Sequence, residues 1–151
     1  MTIVLAIDAG TTGVRTVAID EQGRPTQFAY RELAQHFPQP GRVEHDADDI
    51  WRAVSETFAE VVARVDPSEV AAVGITNQRE TVVAWDRITG RPLHRALVWQ
   101  DRRTAARGEE LRADGFEPTV RGRTRVVLDP YFSATEIEWM LTEGGVGGRA
   151  E

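Results

Sequence analysis

Short apolar runs separated by turn residues form the first part of the chain. Residues 3–7 are a continuous apolar run, which is typical of a strand covered on both faces. Residues 14–19 and 25–33 predict two more strands, with turns that contain glycine and aspartate between them. We therefore predict an antiparallel β-meander over residues 1–33.

The next periodic segment predicts an amphipathic helix. Asp46 suits the N-cap position, and apolar side chains recur every three or four residues on one face, at Ile50, Val54, Phe58, Val61 and Val65. Asp66 and Pro67 end this helix, and residues 70–75 predict a strand. Because strand, helix and strand follow one another, we expect a right-handed crossover that places two strands in parallel.

The remaining residues predict a further alternation of strands and helices. Apolar residues 82–85 and 93–99 predict strands, and residues 104–113, 116–122 and 129–141 predict helices. Region 46–141 is thus expected to alternate helices and strands, whereas the glycine-rich residues 142–151 predict a flexible tail. The whole pattern predicts an α/β fold.

Composition narrows the classes of function. With 151 residues the chain has the length of one ordinary domain, and no apolar run approaches membrane-spanning length. Its net charge of −6 argues against a nucleic-acid partner. The N-terminus enters a strand at once, which predicts no signal peptide, and the absence of cysteine favours the cytoplasm.

All 18 basic residues are arginine, and this excludes two kinds of phosphate-transfer site. A P-loop needs a lysine at the phosphates, and a protein kinase needs a lysine on a strand. Phosphate chemistry in this chain would therefore use backbone amides, hydroxyl groups and arginine.

The first candidate site is the turn that joins the first two predicted strands. Glycines let the backbone approach a ligand closely, hydroxyl groups and an arginine can bind phosphate, and a carboxylate at the strand end can hold hydrated Mg²⁺. The residues of these kinds are Asp8, Gly10, Thr11, Thr12, Gly13 and Arg15. The alternative interpretation is an ordinary hairpin turn.

The second candidate site begins at Arg79 and Glu80, two charges between apolar runs. A carboxylate that accepts from one hydroxyl and a guanidinium that donates to others would hold a small polyol. Trp99 and Tyr131 would add an aromatic wall and a further hydroxyl. The alternatives are a structural ion pair on a loop, a core tryptophan and a packed tyrosine.

Charged residues 101–103 follow a predicted buried strand, where α/β folds place their ligand crevices. The alternative for this segment is a solvated helix N-terminus. His36, His45 and His94 have no metal-ligand spacing, and we assign them no role.

The candidate residues lie within short segments, at residues 8–12, 37–41, 43–46, 74–81, 98–104 and 128–133. In sequence, order and spacing, these segments resemble the glycerol kinases of the FGGY carbohydrate kinase family. The resemblance implies an incomplete N-terminal domain of the ribonuclease-H-like fold, which belongs to the sugar kinase and actin superfamily. It also implies an enzyme that converts ATP and glycerol to ADP and sn-glycerol 3-phosphate.

The resemblance further implies a role for each candidate residue. The residues expected to contact ATP are Thr11, Thr12, Gly13 and Arg15, and Asp8 is expected to hold Mg²⁺ through water. The residues expected to surround glycerol are Arg79, Glu80, Trp99 and Tyr131.

Three positions and the length depart from the family. Ala9 stands where glycerol kinases usually have glutamine, Gly13 replaces a serine, and Arg125 replaces a glycine that would suit a positive φ. The family enzymes are longer and have two domains, so we expect the general-base aspartate to lie beyond residue 151. We therefore expect the isolated chain to be inactive, with exposed sheet edges and either marginal stability or self-association.

Two other functions stay open. One is a catalytically inactive remnant that serves as a binding module, and the other is an FGGY kinase for another polyol or sugar such as xylulose. Arg79, Glu80 and Trp99 favour glycerol over xylulose. The expected partners are glycerol and a separate chain that carries the missing half. Family members often form homo-oligomers, and we expect no nucleic acid or membrane partner.

Overall fold

The computed structural model describes residues 2–149, which divide into two compact units. The first unit is Met1–Gln35 with Asp46–Gln78, and the second is His36–His45 with Arg79–Glu151. The length predicts a single domain. Residues 36–45 leave the first unit and pack with the chain that follows residue 78, and the single domain stays a prediction.

Six strands and four α-helices lie in the part of the chain that the structure describes. The strands are β1 (Ile3–Ala9), β2 (Gly13–Ile19), β3 (Pro25–Glu32), β4 (Glu44–His45), β5 (Val70–Asn77) and β6 (Ala96–Leu97). The helices are α1 (Ala47–Val62), α2 (Ala105–Ala113), α3 (Glu117–Thr124) and α4 (Ser133–Thr142). Short 3-10 turns lie at Pro67–Glu69 and Gly147–Arg149. Within residues 2–149 no helix is long and apolar enough to cross a membrane.

The first unit is built on one four-stranded sheet with the order β3-β2-β1-β5. Strands β1, β2 and β3 pair antiparallel, and β5 pairs parallel with β1. The predicted meander and the predicted parallel crossover are both confirmed. Because β1 and β5 run in the same direction, their carboxyl ends meet at one edge of the sheet.

Helix α1 packs on one face of this sheet. The Asp46 carboxylate accepts a hydrogen bond from the Asp48 amide at 3.0 Å, so the predicted N-cap is confirmed. The predicted apolar stripe faces the core, where Val61 is fully buried beside Leu5 and Ala18. Burial of this stripe fixes the helix on the sheet.

The second unit contains less strand than the sequence predicts. Residues 82–85 are not a strand and make only isolated bridges, and the strand predicted at 93–99 is reduced to Ala96–Leu97. One bridge joins Trp85 to Pro92. Since proline has no amide hydrogen, the ladder cannot continue through that position. Strand β6 pairs instead with β4, a two-residue strand that the sequence analysis missed.

The expected flexible tail at residues 142–151 differs from the structure. Val146 is only 4% exposed and packs with Leu97 and Met140, and its amide donates to the Met140 carbonyl at 3.1 Å. At Gly147 a Cβ atom would overlap the Leu141 carbonyl oxygen. Glycine therefore lets this segment lie directly on helix α4. Residues 150 and 151 lie outside the described residues.

The outer edge of β5 is expected to drive association between copies of the chain. In the described chain β5 pairs only with β1, and Ile75 is 73% exposed. An open apolar edge is a template for a further strand. Sedimentation velocity should show association that increases with concentration and that Ile75→Lys reduces. Ile88→Lys is the control, because Ile88 is 94% exposed on a turn. A monomer at every concentration, or an equal effect of both variants, would contradict this expectation.

Candidate phosphate turn and polyol cluster

The turn between β1 and β2 is held by backbone hydrogen bonds. The Gly10 amide donates to the Gly13 carbonyl at 3.1 Å, and the Leu33 amide donates to the Thr12 carbonyl at 3.0 Å. Carbonyl oxygens of the turn therefore already have partners, and its shape is fixed before any ligand binds. We call residues 8–15 the phosphate turn.

Tyr30 explains why position 13 of the phosphate turn is glycine. A Cβ atom at Gly13 would overlap the Tyr30 hydroxyl and ring. The Tyr30 hydroxyl donates to the Thr12 carbonyl at 3.3 Å, and its ring lies 5.7 Å from the Arg15 guanidinium carbon. A serine side chain at position 13 would need this tyrosine to move.

The polar side chains of the phosphate turn lie at the edge where the carboxyl ends of β1 and β5 meet. Asp8 stands opposite Arg15 in the ladder, and Asp8, Thr12 and Arg15 are all exposed. The backbone amide of Gln78, a residue that the sequence analysis did not assign, donates to the Ala9 carbonyl at 3.0 Å. The turn therefore offers hydroxyl groups, a cation and a carboxylate on a rigid base.

Asp8 suits only a weakly held metal ion. No group of three or more metal-ligating side chains occurs among the described residues. Magnesium commonly keeps most of its water and takes one or two carboxylates together with phosphate oxygens of the ligand. The single exposed carboxylate of Asp8, at the phosphate turn, fits that pattern.

The second candidate site lies entirely in the second unit, and Glu80 is its most unusual residue. Its backbone has φ of +64°, a left-handed conformation that costs a glutamate about 1–3 kcal/mol. The Glu80 carboxylate accepts from the Ser133 hydroxyl at 2.9 Å. Such strain persists only where surrounding contacts enforce it, which makes Glu80 a candidate for function.

Two aromatic side chains lie beside this glutamate segment. The rings of Trp99 and Tyr131 meet edge to face, with centroids 5.9 Å apart. The Trp99 amide donates to the Thr81 hydroxyl at 3.4 Å, which ties residue 99 to the segment that follows Glu80. The structure thus brings Trp99 and Tyr131 into contact and links Trp99 to the segment that follows Glu80. We call Arg79, Glu80, Trp99 and Tyr131 the polyol cluster.

Arg79 is exposed and next to Glu80 in the chain. Between residues 2 and 149 it forms no ion pair with the Glu80 carboxylate, which bonds to Ser133 instead. The alternative interpretation of these two residues as a structural ion pair is therefore wrong. The side chains of Trp99 and Tyr131 are only half-buried, so neither is a closed core residue.

Asp101 and Arg103 belong to a buried ion-pair network. Both side chains are 1% exposed, and the guanidinium lies 2.9 Å from the Asp101 carboxylate and 2.7 Å from that of Glu44. Asp101 also accepts from the Val43 amide at 2.7 Å. The guanidinium carbon lies 4.4 Å from the ring centre of Trp139. The solvated helix N-terminus considered for this segment is therefore wrong.

Glu136 is a buried carboxyl group that the sequence analysis missed. It is fully buried in α4, and neither carboxylate oxygen has a hydrogen-bond partner within the described chain. Burial, followed by the Asp101 charge, raises the pKa of Glu136 to about 8, although Arg103 opposes the shift. This carboxyl group is therefore mostly protonated at neutral pH.

Residues 3–145 match the FGGY family of carbohydrate kinases, N-terminal domain. A glycerol kinase from Halorhodospira halophila is 53% identical over 151 residues, which cover 98% of this chain and 30% of that protein. The chain spans about three tenths of the length of the curated relatives it matches.

Solved structures agree with the sequence relatives. The crystal structure of Plasmodium falciparum glycerol kinase with ADP has a TM-score of 0.89 at 30% identity, and the match covers 99% of this chain and 30% of that chain. A xyloylose kinase from Brucella ovis has a TM-score of 0.85 at 28% identity, with 97% of this chain and 30% of that chain covered. These matches confirm the predicted α/β fold class.

Proposed function

The chain belongs to the FGGY family of carbohydrate kinases, and we propose that it carries the glycerol-contacting residues of an ATP-dependent glycerol kinase. The complete enzyme would convert ATP and glycerol to ADP and sn-glycerol 3-phosphate. In this proposal the polyol cluster binds glycerol, and the phosphate turn contacts the nucleotide.

The observation that carries the proposal is the geometry of Glu80. Its backbone is strained and its carboxylate is held by Ser133, two residues after Tyr131, whose ring meets that of Trp99. A carboxylate is a strong acceptor for a hydroxyl group, and an aromatic wall shields the carbon chain of a triol from water.

The polyol cluster would act by positioning its substrate. Glu80 accepts a hydrogen bond from one glycerol hydroxyl, and the exposed guanidinium of Arg79 donates to the oxygens of others. Tyr131 adds a phenol hydroxyl, and Trp99 packs against the carbon atoms. Fixing the triol in one orientation lowers the barrier to phosphoryl transfer, because the entropy cost of orienting the reacting hydroxyl is met when the substrate binds.

The phosphate turn would bind the nucleotide through Thr11, Thr12, Gly13 and Arg15. Hydroxyl groups, a closely approaching glycine backbone and a guanidinium are the groups that bind phosphate without lysine. Asp8 would hold Mg²⁺ through water. When bound, the ion would neutralise phosphate charge. The aspartate that accepts the proton from glycerol stays a prediction for a residue beyond 151.

Glycerol is the favoured substrate over xylulose. The sequence relatives at 51% and 53% identity are both glycerol kinases. The cytoplasmic location, the homo-oligomer and the partner chain with the second half stay predictions.

Glycerol affinity of polyol-cluster variants tests the proposal. Glu80→Gln and Arg79→Ala each remove a charged hydrogen-bonding group, and each should weaken binding about tenfold or more in isothermal titration calorimetry. The matched control is Arg87→Ala, which removes an exposed arginine from a turn of the same unit. Equal losses in all three variants, or tighter binding of D-xylulose than of glycerol, would overturn the assignment.

A further inference from the structure

We propose that Ser133 is a positioning residue of the polyol cluster, and that its hydroxyl group holds the Glu80 carboxylate in the orientation that binds glycerol. This inference rests on the proposed function and extends it to a residue outside the predicted set. In this inference, the start of helix α4 contributes to substrate binding.

The hydroxyl group of Ser133 contacts Glu80 at two points. It donates to the Glu80 carboxylate at 2.9 Å and lies 3.4 Å from the Glu80 carbonyl oxygen. One hydroxyl thus touches both the side chain and the backbone of the residue with φ of +64°. These contacts fix the side chain at the place where the backbone is strained.

The usual role of a serine at the start of a helix does not account for this hydroxyl. Serine near a helix N-terminus commonly bonds to backbone amides of the first turn. Ser133 is the first residue of α4, the N-cap is Phe132, and that cap makes no side-chain hydrogen bond. The Ser133 hydroxyl is directed to Glu80, which is 53 positions away in sequence.

Helix α4 is a firm support for this contact. Two residues after Ser133, the Thr135 hydroxyl donates to the Thr104 hydroxyl at 2.9 Å in a buried site. Further along the helix, Met140 is buried beside Leu97. Since the helix is anchored at both points, a hydroxyl at its first residue is fixed in space. A glutamate held by such a group loses less side-chain entropy when glycerol binds.

Glycerol titrations of Ser133 variants test the inference. Ser133→Ala should weaken glycerol binding about tenfold, as expected for the loss of a hydrogen bond to a charged group. Ser133→Thr keeps the hydroxyl and should retain most of the affinity, and Ser133→Cys, a weaker donor of similar volume, should fall between them. Ser55→Ala is the control, because among residues 2–149 the Ser55 hydroxyl bonds only within helix α1, to the Trp51 carbonyl at 2.9 Å.

The ¹³Cδ chemical shift of Glu80 gives a second readout that needs no ligand. Ser133→Ala should move this resonance, whereas Ser55→Ala should leave it unchanged. If Ser133→Ala does not fold, the Ser133→Cys variant supplies both measurements.

The outcomes separate this inference from the proposed function. Unchanged glycerol affinity in Ser133→Ala, or an unchanged Glu80 resonance, overturns the positioning role. If the wild-type chain binds no glycerol at its polyol cluster, the proposed function fails, and the Glu80 resonance alone then decides whether Ser133 positions the carboxylate.

Discussion

Arg103→Met is expected to destabilise the second unit by about 3–5 kcal/mol, because it leaves two carboxylates buried without their cation. Asp101 is 1% exposed and lies 2.9 Å from the guanidinium, and Glu44 lies 2.7 Å from it. The methionine would keep part of the packing on Trp139 but would donate no hydrogen bond. The loss is therefore electrostatic and does not arise from a cavity.

Urea unfolding followed by tryptophan fluorescence measures this effect. Arg102→Met is the matched control at the next position, where the arginine is exposed and pairs with Asp129 on the surface at 2.7 Å. Surface pairs of this kind contribute about 0–1 kcal/mol. Similar small losses for Arg102→Met and Arg103→Met would show that the buried network does not hold the unit together.

Glu136→Gln is expected to remove a large part of the pH dependence of stability. The pKa of Glu136 rises from an ordinary value of 4.5 to about 8 in the folded chain, chiefly because of burial. Between these values the folded chain binds a proton that the unfolded chain has lost. The free energy of unfolding therefore falls as pH rises, by at most about 1.4 kcal/mol per pH unit.

The sign of this effect separates Glu136 from an ordinary salt-bridged carboxylate. A carboxylate with a lowered pKa stabilises the fold as pH rises, whereas Glu136 destabilises it until the folded-state pKa near 8 is passed. Glutamine is neutral at every pH and keeps the size of the side chain. The free energy of unfolding of the variant should equal that of the wild type near pH 4.5 and should exceed it at pH 8 and above.

Urea unfolding at a series of pH values from about 4.5 to about 9 checks this expectation. Glu138→Gln is the control, because Glu138 lies on the same helix but is exposed and pairs with Arg107. The wild type and Glu138→Gln should lose stability in parallel as pH rises, whereas the stability of Glu136→Gln should depend less on pH. Parallel profiles for all three proteins would contradict a protonated buried Glu136.

The local pattern of apolar and polar residues predicted the strands and the helix of the first unit. The apolar runs at the N-terminus and the spacing from Ile50 to Val61 indicate a meander and a helix, and both are present with their predicted pairing. The resemblance also marked Arg125 as a residue in place of a glycine. Its φ of +64° at the end of α3 agrees with that expectation.

Long-range pairing could not be predicted from the sequence. Arg103 meets Glu44 across 59 positions, and Ser133 meets Glu80 across 53. Before the fold is known, Glu44 and Glu136 are ordinary polar residues. Only tertiary packing buries Glu136 completely and leaves it without a hydrogen-bond partner in the described chain. The members of the polyol cluster stay a prediction, and the residues that contact it, such as Ser133, could not be predicted from local pattern.

The most direct test of the central claim is an NMR titration of the ¹⁵N-labelled 151-residue chain with glycerol. Our account predicts saturable shifts at the amides of Arg79 and Glu80, at the Trp99 indole and at Tyr131, while residues of the first unit such as Phe28 stay in place. Shifts that do not saturate, or that map away from these four residues, would contradict the assignment of the polyol cluster as the glycerol site.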